Sequence, residues 1–108
     1  MPGGTLKSAV VTVAAQNDAA TVLGLPSSGN VAVQITGTLS ATITFEVTVD
    51  GTNWVAFNMA PSNNGTAAST ATAVGAWSAS TGGYAGVRAR CSAYTSGSPV
   101  VTVRYAAL

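Results

Sequence analysis

From Thr42 to Val49 the chain alternates without a break. Ile43, Phe45, Val47 and Val49 are apolar, and Thr42, Thr44, Glu46 and Thr48 between them are polar. Period-two alternation commits this stretch to a β-strand with one face on a core and the other turned away from it. The turn dipeptide Asp50-Gly51 follows, and Val55, Phe57 and Met59 resume the apolar pattern. A three-residue loop Val49-Asp50-Gly51, with glycine in the left-handed position, pairs Phe45 with Val55 and Ile43 with Phe57. In that register Trp54 lies opposite Glu46, on the face away from the core.

The rest of the chain reads as strands added around this hairpin. Ser8–Ala15 is a strand with Val11 and Val13 on one face, and a shorter one spans Thr21–Leu25 beyond the turn cluster Gln16-Asn17-Asp18. Val31, Val33 and Ile35 mark a third, ended by Gly37. Pro61–Gly65 is a loop, Thr66–Ala73 a weak strand or extended loop, and Gly75–Ala79 a short strand around Trp77. Thr81-Gly82-Gly83 turns into Tyr84–Ala93, and Val100–Ala106 closes the chain after the loop Thr95–Pro99. No long segment carries helical periodicity with caps. Short strands separated by turn signals predict an all-β fold: an antiparallel, jelly-roll-like β-sandwich of about eight strands. Residues 1–7 are expected as an N-terminal arm and residues 8–108 as a single sandwich domain.

Composition removes whole classes of chemistry. The chain has no histidine, which excludes Ser-His and Cys-His nucleophiles, His-ligated zinc and the commonest general base. Its one cysteine, Cys91, excludes an internal disulfide and falls on the inward face of its strand, where it packs as a small hydrophobe. A formal charge of +1 gives nucleic acid no electrostatic footprint. No apolar run reaches the ~20 residues of a membrane helix, and MPGGTLK lacks the apolar centre of a signal peptide. Charged residues make up 6% of the chain, far below the roughly 25% usual in soluble domains. Such a surface is poorly protected against association, which points to faces covered by other subunits.

The carboxylates are Asp18, Glu46 and Asp50. Asp18 and Asp50 sit in turns, where aspartate caps local backbone. Nothing in the sequence sets two of the acids at a catalytic separation or in ordered calcium-ligand spacing. Neither a catalytic residue, a cofactor nor a metal is therefore expected. Asn64-Gly65-Thr66 matches the glycosylation sequon and reads here as a turn.

The arginines carry more. Val87, Ala89, Cys91 and Ala93 suit a core face, so Arg88 and Arg90 point the other way, with Tyr84 and Tyr94. If Thr95–Pro99 closes a hairpin, Arg104 joins them. Like charges on neighbouring strands repel, so a partner acid is expected: Glu46 of the same chain, or an acid of another subunit. The face Glu46, Trp54, Tyr84, Arg88, Arg90, Tyr94 and Arg104 is then either solvated or a contact surface. Trp54 on it would stack on a sugar or anchor an interface, unless it is tucked under a loop.

The order of these motifs is familiar. TFEVTVDGTNWVAF, followed by GAWSAST-GGYAGVRARCSAYTSGSPVVTVRYAA, resembles a β-sandwich domain of tailed-bacteriophage virion structural proteins over roughly residues 39–106. It resembles more distantly the galactose-binding-like jelly rolls of discoidin type, which share the DG-x-x-W turn. The resemblance implies a non-enzymatic virion protein, with capsid decoration (cement) as the leading expectation. In that role the protein is a homo-oligomer, expected as a trimer, that binds the major capsid protein or other virion proteins, and it is localised to the virion. The alternatives are a tail, baseplate or fibre component, and a carbohydrate-binding module that takes a glycan on Trp54, Trp77 or Tyr94.

Overall fold

The computed structural model describes residues 6–25 and 29–107. Ten strands follow in order: β1 (Leu6–Thr12), β2 (Ala19–Leu23), β3 (Gly29–Thr36), β4 (Leu39–Thr48), β5 (Val55–Ala56), β6 (Ala60–Pro61), β7 (Thr70–Ala71), β8 (Gly75–Ser80), β9 (Gly86–Gly97) and β10 (Val100–Ala107). They form two five-stranded antiparallel sheets. The first runs β1-β10-β3-β8-β6; the second runs β2-β9-β4-β5, with β7 also paired to β4. The sheets lie face to face as a sandwich, as the alternation requires.

The core is built from the inward halves of the long strands. Val31, Val33 and Ile35 on β3 and Val101, Val103 and Tyr105 on β10 meet Ile43, Phe45 and Val47 on β4 and Val87, Ala89 and Cys91 on β9. Each strand contributes every second residue, so one layer of side chains fills the space between the sheets. Trp77 of β8 lies half-buried at the rim, its ring 5.5 Å from that of Phe45.

The fold class stands as read, with ten strands in place of about eight. The additions are the two-residue strands β6, at the start of the stretch read as a loop, and β7, in the stretch read as a weak strand or extended loop. β6 contains Pro61, which is tolerated because β6 is the edge of its sheet and the missing N–H faces outward. β1 begins at Leu6, so Leu6 and Lys7 of the expected arm belong to a strand; the rest of the arm lies outside the described residues.

Three placements differ from the sequence reading. In the β4–β5 hairpin Glu46 pairs with Ala56 and Val47 with Val55, a shift of two residues. The connecting loop is longer than three residues because the Asp50 carboxylate organises it, accepting from the backbone N–H groups of Thr52 and Asn53 at 2.8 and 2.7 Å. A shift of two preserves the face, so Trp54 remains on the side of Glu46.

The second difference lies in β9, whose register against β4 slips twice. Thr42 pairs with Ala93 but Ile43 with Cys91, so Ser92 is an extra residue, and a further slip falls between Ser40 and Ala41. A bulge reverses the alternation beyond it. Tyr94 is thereby turned inward against the core and does not share the face of Arg88 and Arg90.

The third concerns the end of the chain. β9 lies in the second sheet and β10 in the first, so Ser98-Pro99 crosses between sheets and does not close a hairpin within one. Arg104 consequently stands on the outer face of the opposite sheet, paired in register with Ser8 and Ala32.

Candidate interaction face

On the outer face of the second sheet, period two brings Glu46 of β4 directly opposite Arg88 of β9, with Arg90 one step along. Glu46 is 7% exposed. Arg88 Nε donates to Glu46 Oε1 at 2.6 Å, and Arg90 Nε donates to the same oxygen at 3.1 Å. Arg90 Nη2 donates to Oε2 at 3.2 Å, and its Nη1 donates to Asn17 Oδ1 at 2.9 Å. Arg90 is thus held bidentately by one carboxylate and pinned from behind by an amide. Asn17 reaches it from the turn before β2, where its φ of 77° is one asparagine tolerates.

Trp54 completes the group. The Arg88 guanidinium carbon sits 4.4 Å from the centroid of its ring, a cation–π stack. Burial pushes the Glu46 carboxyl up, but the hydrogen bonds from Arg90 and Arg88 and their charges outweigh it, and the net shift is downward. The hydrogen bond to Glu46 likewise raises Arg90. Two guanidinium groups against one carboxylate leave the cluster at +1. The terminal nitrogens of Arg88 have no hydrogen bond among the described residues.

Four of the seven residues singled out from sequence therefore meet: Glu46, Trp54, Arg88 and Arg90. The expected partner acid is Glu46 of the same chain. Tyr84 stands apart, in the turn before β9, with its ring 5.9 Å from Phe57. Tyr94 donates its hydroxyl to the Gly97 carbonyl at 2.7 Å, and Arg104 is on the other sheet. The sequence reading missed Asn17, whose only signal was its place in a turn cluster. It also missed the pair in which Thr44 Oγ1 donates to Ser92 Oγ at 2.7 Å, since the bulge that brings Ser92 there was not read.

The remaining acids are committed locally. Asp18 Oδ2 accepts from the N–H groups of Ala14 and Ala15. Asp50 is held well below the usual carboxylate range by hydrogen bonds from the backbone and side chain of Asn53, and from Thr52. Among the described residues no three His, Cys, Asp or Glu are grouped to hold a metal. A shallow depression of about 360 Å³, lined by Ser40, Thr42, Thr72 and Thr95 among others, lies at the bulged end of β4 and β9.

The molecule is an all-β sandwich with a preorganised aromatic–guanidinium patch, and its fold is shared by solved proteins. The SPBc2 prophage-derived protein YomS matches 94% of this chain and 95% of its own, with a TM-score of 0.72 and 13% identity. The PBSX exported protein XepA matches with a TM-score of 0.74 and 16% identity, over 94% of this chain but 38% of its own. No family model and no curated protein sequence matches the chain. At these identities the likeness is one of fold.

Proposed function

We propose that this protein is a non-enzymatic structural component of a phage particle, most concretely a capsid decoration protein. In that role it is a homo-oligomer that bridges neighbouring capsid subunits. The observation that carries this reading is the Trp54–Arg88–Glu46–Arg90 cluster. Tryptophan and arginine are the residues that anchor protein interfaces, and they do so best when held rigid before contact. Glu46 supplies that rigidity, and the free end of the Arg88 guanidinium is available to a partner's carboxylate or carbonyl. The low overall charge and a fold shared with a prophage-derived protein support the same reading.

Locating the protein on intact particles by electron microscopy tests it, because site and copy number are read together. Many copies on the head surface are expected. Absence from purified particles overturns the virion reading, and a few copies at the tail favour a second one, a tail or baseplate module. XepA is the observation behind that second reading, since there the same fold occupies 38% of a longer chain. A glycan-binding role has to rest on Trp54, because Trp77 packs on Phe45 and Tyr94 is turned inward.

A further inference from the structure

Among the described residues, β1 is an unpaired edge of the first sheet and β2 an unpaired edge of the second. They run side by side along one wall of the sandwich, where Lys7 and Ser8 share a depression with Thr21, Val22 and Leu23. The hydrogen-bond phase of β1 follows from one contact: Val13 N–H donates to Pro99 O at 2.9 Å, in line with the β1–β10 register. Bonded pairs alternate in an antiparallel ladder, so Lys7, Ala9 and Val11 spend their backbone groups on β10. Leu6, Ser8, Val10 and Thr12 turn theirs outward.

Edge strands are normally blunted by proline, a bulge, outward charge or an inward-pointing lysine, and β1 carries only the last of these, Lys7, near its start. The outward-facing side chains here are Leu6, Ser8, Val10 and Thr12, with no charge and no proline among them. Leu6 is 60% and Val10 63% exposed, and Leu23 on the neighbouring edge is 51% exposed. The one charge on the strand, Lys7, lies on its other face and near its start, with its Nζ close to Gly24.

We propose that β1 pairs antiparallel with β1 of a second copy of this chain, about a twofold axis through Ala9. The two first sheets then join into one continuous sheet. The four residues that turn their backbone outward are uncharged and fit a like strand, and a twofold contact requires a patch complementary to itself. Centred on Ala9, the register pairs Leu6 with Thr12 and Ser8 with Val10 in both directions. Every outward-facing residue of β1 is used, for roughly eight backbone hydrogen bonds.

Charge selects the same register. Lys7 falls opposite Val11 of the second copy, so the two lysine positions lie about 14 Å apart along the strands. That exceeds the screening length of roughly 8–10 Å. Centring on Ser8 brings the two positions to about 7 Å, within that length, while centring on Val10 leaves Leu6 without a β1 partner. The contact is twofold, so it makes a dimer or an even-numbered assembly in place of the trimer expected from sequence. It holds whether or not the protein resides in a particle.

The test is the solution mass together with one proline and three single cysteines. Wild-type protein is expected at twice the 10.6 kDa of one chain, or a higher even multiple. Val10→Pro removes an N–H that the β1–β10 ladder does not use, so the fold should persist while the mass halves. Val10→Lys should do the same, and a single cooperative thermal melt with unchanged tryptophan emission verifies the fold of both; the melt should be lower than wild type's and independent of concentration. On the axis, Ala9 meets its own copy at the roughly 4.5 Å Cα spacing of a non-hydrogen-bonded pair, within disulfide reach. Ala9→Cys should therefore cross-link on mild oxidation faster than Ser8→Cys or Val10→Cys, with native Cys91 buried and silent. Single-chain mass up to millimolar concentration overturns the proposal. So does an oligomer that survives Val10→Pro, or fastest cross-linking at position 8 or 10, which would mean a shifted register or another strand, such as residues 1–5 of a neighbour, on this edge.

Discussion

Glu46 is the residue on which the candidate face depends. It is a nearly buried acid whose two oxygens serve two arginines, so its removal leaves two guanidinium groups side by side without a counter-charge. Because both arginines retain some exposure, Glu46→Gln should cost about 1–3 kcal/mol, below the range for a fully buried pair. A shift in urea midpoint with unchanged slope measures this. The pH dependence has a definite sign. The folded carboxyl lies below the ordinary glutamate value of about 4.3, so its contribution is complete above that value and is lost as pH falls through the folded pKa. Asp50, also shifted downward, acts in the same direction at more acid pH. The fall in urea midpoint between about pH 6 and about pH 3 should be shallower in Glu46→Gln and shallower still once Asp50→Asn is added.

Trp54 gives the same scale a spectroscopic readout. With Arg88 stacked on it the indole is half-buried, and Arg88→Ala uncovers one ring face. Emission should move to the red and acrylamide quenching should rise, while Trp77, packed on Phe45, is unaffected. Loss of the stack should lower stability by about 0.5–1 kcal/mol. Unchanged quenching would mean that the stack does not form in solution.

Among the elements, β9 decides most, because it changes register while pairing with β4 and then hands the chain to the other sheet. The handover is tight. Gly97 has φ +96°, and a Cβ there would lie 2.4 Å from the Thr38 carbonyl oxygen. Gly51, with φ +83°, has nothing within 4 Å of such a Cβ. Both substitutions by alanine incur the left-handed backbone penalty, about 1 kcal/mol, but only Gly97→Ala must also displace backbone. Gly97→Ala should lower the melting temperature clearly more than Gly51→Ala. Equal effects would mean that the crossover is looser than this geometry.

As a whole the molecule is a thin-charged sandwich whose three acids are all engaged within the chain. Its interior can be followed through Cys91, which is fully buried with its Sγ 3.3 Å from the Ala93 carbonyl oxygen. Burial pushes the thiol pKa up, which further lowers its reactivity. Labelling by a thiol reagent should be negligible in native protein and should track global unfolding in urea. Fast labelling without denaturant would show that β9 opens locally against β2 and β4.

Strand character, most of the core faces and Glu46 as one of two candidate partners for Arg88 and Arg90 were legible before the fold, whereas Val49, Val55 and Ala93, read as inward, are exposed. Each legible feature rests on the two-residue period of a pleated strand, a local property that any stretch such as Thr42–Val49 carries within itself. The position of Trp54 on the Glu46 face survived even a wrong loop length, because a slip of two residues does not change sides. Tyr94, Arg104 and Asn17 were not legible in this way. A single extra residue at Ser92 reverses the side of Ala93 and Tyr94 beyond it, and no local pattern marks where a ladder slips. Which sheet the last strand joins is settled by how the two apolar faces close on each other, so Arg104 was parted from its expected neighbours by packing alone. Alternation determined which side of an unbroken strand each residue takes; only the bulge and the closing of the sandwich decided which of those sides are covered and which outward residues share a surface.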